Sequence, residues 1–517
     1  MDQVIGNPSQ LPLQAVAAET APEETKGGIK NTVSDANKNA VSDTKENAVS
    51  DANKTSCNNQ VSDDDVTERL LRPLIRPRDY PSGIREWMMA APEDMEFATL
   101  AVLASMLSVY LTRVRIQYVY DNEGEQSAIV LQVIVEGEQS SGKSFARFIM
   151  RTMMQPFVER DREMRAKEQE YAALKRRQGK KDGKLPPEPK TDITILPETV
   201  SVTMFIKRCD AAMKLFGAPK TLFEFADEIS AVVQSAKRQF SDLTQIIKTA
   251  YDLGSTYGQD YLSENSYSAV VDALLSFVFC GTKNAVSRYM NKAAIEGGNV
   301  TRSIIVFLES HLGGNPPQFK SLDRAQKASL SATLKKLMDL CYSEDGTKLH
   351  EEIELDMSWL DKTVMKWCDE CRKEVVRTMS KSMDTFYKRS SVSAFRMASL
   401  LQMLYQVEGV KSEKEIHRLV KQTYLACADR ILQNMLQRWG NAYEEINADG
   451  DVEPYHTTDY FQELPQEFSR DFLKDFLKQK GLKTPVRNII CNWRRMGWIE
   501  KPQKGEDGNI LRKLIMG

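Results

Sequence analysis

Residues 129–135 read Ile129-Val130-Leu131-Gln132-Val133-Ile134-Val135, and residues 137–144 read Gly137-Glu138-Gln139-Ser140-Ser141-Gly142-Lys143-Ser144. The first stretch is apolar enough for a strand buried on both faces. The second fits G-x-x-x-x-G-K-[ST] and runs into a helical pattern near Lys143. Strand, glycine-bounded loop and helix in this order predict an α/β P-loop core. The glycines let the backbone turn its N–H groups inward, and the helix N-terminus adds positive potential, so the loop is an anion nest. Gly137, Glu138, Gln139, Ser140, Ser141, Gly142, Lys143 and Ser144 are therefore the expected ATP-binding residues. Lys143 is expected at the β/γ-phosphates and Ser144 on Mg²⁺.

A phosphate loop needs acids for the metal and for water. Thr221-Leu222-Phe223-Glu224-Phe225-Ala226-Asp227-Glu228 is a strand that ends in two of them. Asp227 is expected beside Mg²⁺, reaching it through a metal-bound water, and Glu228 is expected to orient the attacking water, at the strand end where an open α/β sheet binds ligand. A further apolar run, Ala273 to Cys280, leads to Gly281-Thr282-Lys283-Asn284. Thr282 or Asn284 would sit between γ-phosphate and water. Arg302 stands just before the apolar run Ile304 to Phe307. From there it is expected to complete a neighbouring subunit's site, with Arg396 a candidate for the same work in cis.

The chain has 517 residues, room for two or three domains. Its net charge of −2 gives no overall attraction for a polyanion, so any nucleic-acid surface must be local. The start, Met1-Asp2-Gln3-Val4, has no basic region or apolar core of a signal peptide. The longest charge-free apolar run, Phe97 to Leu111, has 15 residues, short of the roughly 20 a membrane span needs. No membrane association and a bacterial cytoplasmic location are expected. Cys368 and Cys371 form the one close cysteine pair, without a second pair or nearby histidine, and read as thiols rather than a zinc site.

Residues 1–65 repeat an eight-residue unit, as in Asn31-Thr32-Val33-Ser34-Asp35-Ala36-Asn37-Lys38, and read as a disordered tail. A mostly helical segment over 66–125 should follow, then the ATPase core over 126–320 with a charged helical insertion at 155–190. A helical bundle is expected over 321–445. Residues 457–517 read as a winged helix: an amphipathic helix presenting Phe472, Leu473, Phe476 and Leu477, a turn at Gly481, a second helix from Pro485, and two short strands. Residues 470–513 carry twelve Lys and Arg against five Asp and Glu. Lys483, Arg487, Arg494 and Arg495 lie on or beside the second helix and are the expected DNA contacts.

These motifs, in this order, resemble the superfamily-3 and MCM-like branch of AAA+ ATPases. More closely, residues 80 to 445 resemble the YfjI-like primase-associated helicases of mobile elements. Where MCM proteins place Ser-Arg-Phe, this chain has Thr301-Arg302-Ser303. The resemblance implies an ATP-dependent DNA helicase or translocase on single-stranded or forked DNA, assembled as a homo-hexameric ring. Many relatives carry a primase domain in the same chain; none is read before residue 80 here, so any primase is expected on a separate polypeptide. The resemblance also implies a DNA-touching hairpin within about Leu253 to Asp272, where Tyr257 and Tyr261 are aromatic. Two other readings share every motif: a nucleotide-switched replication initiator that does not unwind processively, and an ATPase of an antiviral system.

Overall fold

Five parallel strands make the central sheet: β1 (Gln132–Glu136), β2 (Ile195–Leu196), β3 (Thr221–Ala226), β4 (Leu274–Gly281) and β5 (Ser303–Phe307). They pair in the order β2-β3-β4-β1-β5. The structure is a computed structural model that describes residues 71–178, 185–238, 243–260, 267–310, 313–315, 317–448, 461, 463–479, 486–495, 498–500 and 509–514. All lie in the unit Glu68–Gly517, and the repeat-bearing stretch 1–65 lies outside the described residues.

Every residue of β1, β3 and β4 is buried, as a parallel sheet covered on both faces requires. One cover is the helix Glu96–Tyr110, whose residues from Ala98 to Tyr110 are all buried. Hydroxyls fix it to the strands: Ser105 Oγ donates to the Leu131 and Phe277 carbonyls at 2.9 Å each, and Ser108 Oγ lies 2.8 Å from Ser276 Oγ.

The run over residues 129–135 is not one strand. Ser127–Ala128 pairs with Val114–Ile116 in a separate sheet, which Ile353–Glu354 completes. The main-sheet strand begins only at Gln132. Between them side chains take the backbone bonds: Arg396 donates to the Val130 carbonyl at 3.1 Å and Leu131 N–H donates to Ser276 Oγ at 3.1 Å.

Both edges of the central sheet are covered by side chains. On β2, the buried Asp161 carboxylate accepts from Thr194 N–H (2.9 Å) and Ile195 N–H (2.7 Å), while Arg165 donates to the Ile195 carbonyl (2.7 Å). On β5, Asn434 Nδ2 donates to the Ile305 carbonyl at 2.8 Å. Edge strands left bare would invite pairing with another chain. Asp161 and Arg165 belong to the long charged helix Gln155–Gln178, which a turn at Met154 separates from Ser144–Met153. Residues 179–184 of the expected insertion lie outside the described residues.

After the sheet come the long helices Arg324–Cys341, Asp361–Thr378, Lys381–Glu408 and Glu413–Ala448. The C-terminal unit has two helices, Arg470–Gln479 and Val486–Arg495, and an antiparallel strand pair, Glu467–Ser469 with Ile510–Arg512. Leu473, Leu477, Ile489, Ile490, Trp493, Trp498 and Leu511 form its separate small core. Phe472, expected on the apolar face, is instead 45% exposed. Leu473 and Leu477, four apart, face the core, and a side chain one position earlier is rotated off that stripe.

Candidate functional site

The strand ends bring the expected residues together. Register pairs Glu136 with Gly281 and Ala226 with Phe279. The chain therefore leaves the sheet at adjoining carboxyl ends to form the Gly137 loop, the Asp227-Glu228 pair and Thr282. β4 lies between the loop strand and the acid strand, so Thr282 stands between the 137–144 loop and the two carboxylates.

The loop itself is tightly wound. Ser140 (φ 67°) and Gly142 (φ 86°) both have left-handed backbone, the curvature that turns successive N–H groups inward. A Cβ on Gly137 would collide with Ser141 Oγ, and one on Gly142 would lie 2.8 Å from Pro317 Cγ. Ser141 Oγ is buried without a hydrogen-bond partner. Lys143 Nζ donates to the Gly137 carbonyl at 2.8 Å and to the Glu138 carbonyl, so the ammonium is folded over the loop it closes. Ser144 opens the helix and is exposed. Backbone N–H groups, a lysine and a hydroxyl on a tight turn that excludes a side chain at residues 137 and 142 fit a polyphosphate, with Ser144 and Asp227 as oxygen donors toward Mg²⁺.

Asp227 is held from two sides. Its backbone N–H donates to Glu198 Oε1 at 3.2 Å, and its carboxylate pairs with Arg147 of the helix that follows the loop. Glu228 is exposed and accepts from Ser230 Oγ at 2.7 Å. Cys280, opposite Asp227 across β3 and β4, is buried. Burial raises its thiol pKa well above the usual range, and it feels the charges of Asp227, Lys143, Glu228 and Arg147. Glu224, on β3 three residues before Asp227, is pushed up to about 8 by burial and then by Glu198.

Thr282 accepts from Ala285 N–H at 3.4 Å and so caps the short helix Lys283–Tyr289. Asn284 sits in that helix's first turn and is exposed.

Arg302 lies elsewhere. Ser303 pairs with Gln132, so Arg302 sits at the amino end of the sheet, opposite the loop. The five residues of β1 put those ends roughly 16 Å apart. Arg302 is 3.7 Å from Asp252 and donates to the Gly298 carbonyl at 3.4 Å. Burial, then Arg389, lowers its pKa, and Asp252 opposes them. Arg396 is also at that end. It donates to the carbonyls of Val130 (3.1 Å) and Tyr251 (3.0 Å) and to Asp252 (3.1 Å), and stacks 3.9 Å over Tyr251. Its position makes it a staple between the bundle and the sheet rather than an arginine at this chain's own loop.

The expected hairpin is present as Thr256–Gln259 paired with Ala269–Asp272. Tyr257 is half-buried against the core, and Tyr261 lies outside the described residues. Lys483 and the side chain of Arg495 also lie outside them. Arg487 is exposed, and Arg494 is half-buried with Nε and Nη2 lacking partners. Cys368 and Cys371 are buried on the helix Asp361–Thr378. Among the described residues no group of His, Cys, Asp or Glu is placed to hold a metal by itself, and no helix is long and apolar enough to cross a membrane.

Three residues at the site escaped the sequence reading. Arg147 and Glu198 belong to no motif, although Arg147 is one helical turn beyond Lys143. Arg438 comes from Glu413–Ala448, far along the chain. It donates to Glu136 Oε2 (2.7 Å), Ser287 Oγ (2.8 Å) and the Lys283 carbonyl (3.2 Å), clamping the bundle to the end of β1. No protein-family profile matches the chain, and no curated protein matches it.

Proposed function

We infer that the chain is an ATP-driven motor on DNA, a helicase or translocase built on an AAA+-like core with a C-terminal winged helix. The observation that carries this reading is the meeting of the 137–144 loop, Asp227-Glu228 and Thr282 at three adjoining strand ends. Phosphate binding alone needs only the loop. Hydrolysis also needs a carboxylate beside a water and a polar group that reports on the γ-phosphate.

In this reading Lys143 leaves the carbonyls of Gly137 and Glu138 for the β- and γ-phosphates. Mg²⁺, when bound, offsets the charge that develops on the transferring phosphoryl group. Ser144 would hold it directly and Asp227 would hold it through a bound water. Glu228 orients the attacking water and takes its proton, and exchanging its Ser230 bond for water is cheap because both groups are exposed. Thr282 ends β4, and β4 continues backwards through Ala273 into the hairpin strand Ala269–Asp272. A shift of β4 on phosphate release would thus move the hairpin, which couples the site to a strand held at the other end of the sheet.

Arg302 is too far from its own chain's loop to act there; in a ring it would have to leave Asp252 and the Gly298 carbonyl to reach a neighbour's site. Arg487, exposed on a basic unit, supports DNA contact by the C-terminal unit. Replication of a mobile element is the setting that the family resemblance adds.

Strand displacement from a forked duplex tests the motor reading. Wild type should separate the strands only with hydrolysable ATP, and Glu228→Gln should bind nucleotide but displace nothing. Site-bound protein that protects one sequence and never separates strands would replace the motor with a nucleotide-switched initiator.

A further inference from the structure

Arg147 and Asp227 form an ion pair inside the site, and neither motif accounts for it. Arg147 lies four residues after Lys143, on the same face of the helix Ser144–Met153. Asp227 is 27% and Arg147 49% exposed in their side chains, so the pair is one that solvent weakens. Glu198 holds the Asp227 backbone from the other side (3.2 Å) and adds to the negative field at Arg147. The guanidinium therefore sits on the carboxylate that a nucleotide's metal ion requires. A divalent cation and a guanidinium cannot share that oxygen without strong like-charge repulsion.

We propose that Arg147 is a resident counter-cation of Asp227 that competes with Mg²⁺ and so sets how much metal the site needs before it closes on nucleotide. The proposal rests on the reading of the 137–144 loop as the phosphate site. Magnesium arriving with nucleotide displaces Arg147 from Asp227, and the displaced guanidinium is released toward solvent. Without nucleotide, Arg147 keeps Asp227 neutralised and disfavours stray divalent cations at an acid pair. Arg147 is a positioning residue in this scheme, acting through the availability of Asp227.

The test is a magnesium titration of fluorescent ATP-analogue binding to the full chain. Arg147→Gln should lower the half-saturating Mg²⁺ concentration by roughly two- to fivefold, the range that a partly exposed ion pair can withhold. Its nucleotide affinity in EDTA should not rise. Arg147→Lys keeps the charge without the fork and should fall between wild type and Arg147→Gln. If Arg147→Gln does not fold, a magnesium requirement of Arg147→Lys below that of wild type supports the proposal, and one equal to or above it overturns the proposal. An unchanged or raised magnesium requirement in the glutamine variant, or a lysine variant outside the two, overturns the proposal while leaving nucleotide binding intact. Wild type that binds no analogue at any magnesium concentration overturns the phosphate-site reading itself, and this proposal with it.

Discussion

Glu224 lies three residues before Asp227 on the strand that leads to it, yet it faces the core and not the candidate site. It is 5% exposed on β3 and its pKa is pushed up to about 8, chiefly by burial. A carboxyl group raised in the folded state binds more protons there than in the unfolded chain. Stability is therefore highest below the ordinary glutamate range and falls as pH rises toward about 8. Glu224→Gln should remove that loss. Its melting temperature should match wild type near pH 5 and exceed it at pH 8, by the equivalent of a few kcal/mol at most. A thermal-unfolding series at both pH values checks this. Equal melting temperatures at pH 8 would mean that Glu224 is already charged and solvated. Glu228, exposed at the same strand's end, is the contrasting case. Replacing it with Gln should cut hydrolysis by about 10²–10⁴-fold, the usual contribution of a positioned base, with nucleotide affinity retained in a binding titration.

At the scale of elements, the sheet depends on side chains that imitate strands. Asp161 takes two N–H groups of the β2 edge at 2.7–3.1 Å. Asp161→Ala leaves both donors buried or bare. Stability should fall by roughly 2–4 kcal/mol, and light scattering should rise on heating as the edge pairs with other chains. Chemical denaturation and scattering measure the two effects separately. The elements themselves were largely legible. β1, β3, β4 and β5 are largely apolar runs; β1, β3 and β4 each lead into the motif that marked them, and β5 follows the one that marked it. The break at Ile129–Leu131 was not legible, because Arg396 and Ser276 cause it from distant parts of the chain. Ile195–Leu196 is too short to show a period. Ile353–Glu354 is a strand only because Val114–Ile116 lies beside it. At the site, Lys143, Asp227 and Thr282 announce themselves by their place at strand ends. Arg147, Glu198 and Arg438 do not, since their roles come from what the fold sets against them.

At the scale of the whole molecule, arginines join the bundle to the sheet at both ends. Arg438 does so beside the loop and Arg396 at the opposite end. Arg396→Met should cost on the order of 3 kcal/mol, because two carbonyls and Asp252 lose their donor together. Urea unfolding should show it as a lower midpoint. Arg302 at that same end gives the ring a direct check. If it serves a neighbour, Arg302→Ala and Lys143→Ala subunits are each inactive alone. Mixed in equal amounts they should recover roughly a quarter of the wild-type rate, since that share of interfaces joins an intact loop to an intact arginine. No recovery on mixing would confine Arg302 to its bonds with Asp252 and Gly298.

The central claim is that residues 137–144 bind ATP for hydrolysis coupled to DNA. Phosphate release by wild type and Lys143→Ala, each with and without forked DNA, tests it most directly. Wild type should hydrolyse Mg–ATP, faster with DNA than without, and Lys143→Ala should be inactive in both conditions. Hydrolysis that survives in Lys143→Ala, or a wild-type rate indifferent to DNA, would contradict it.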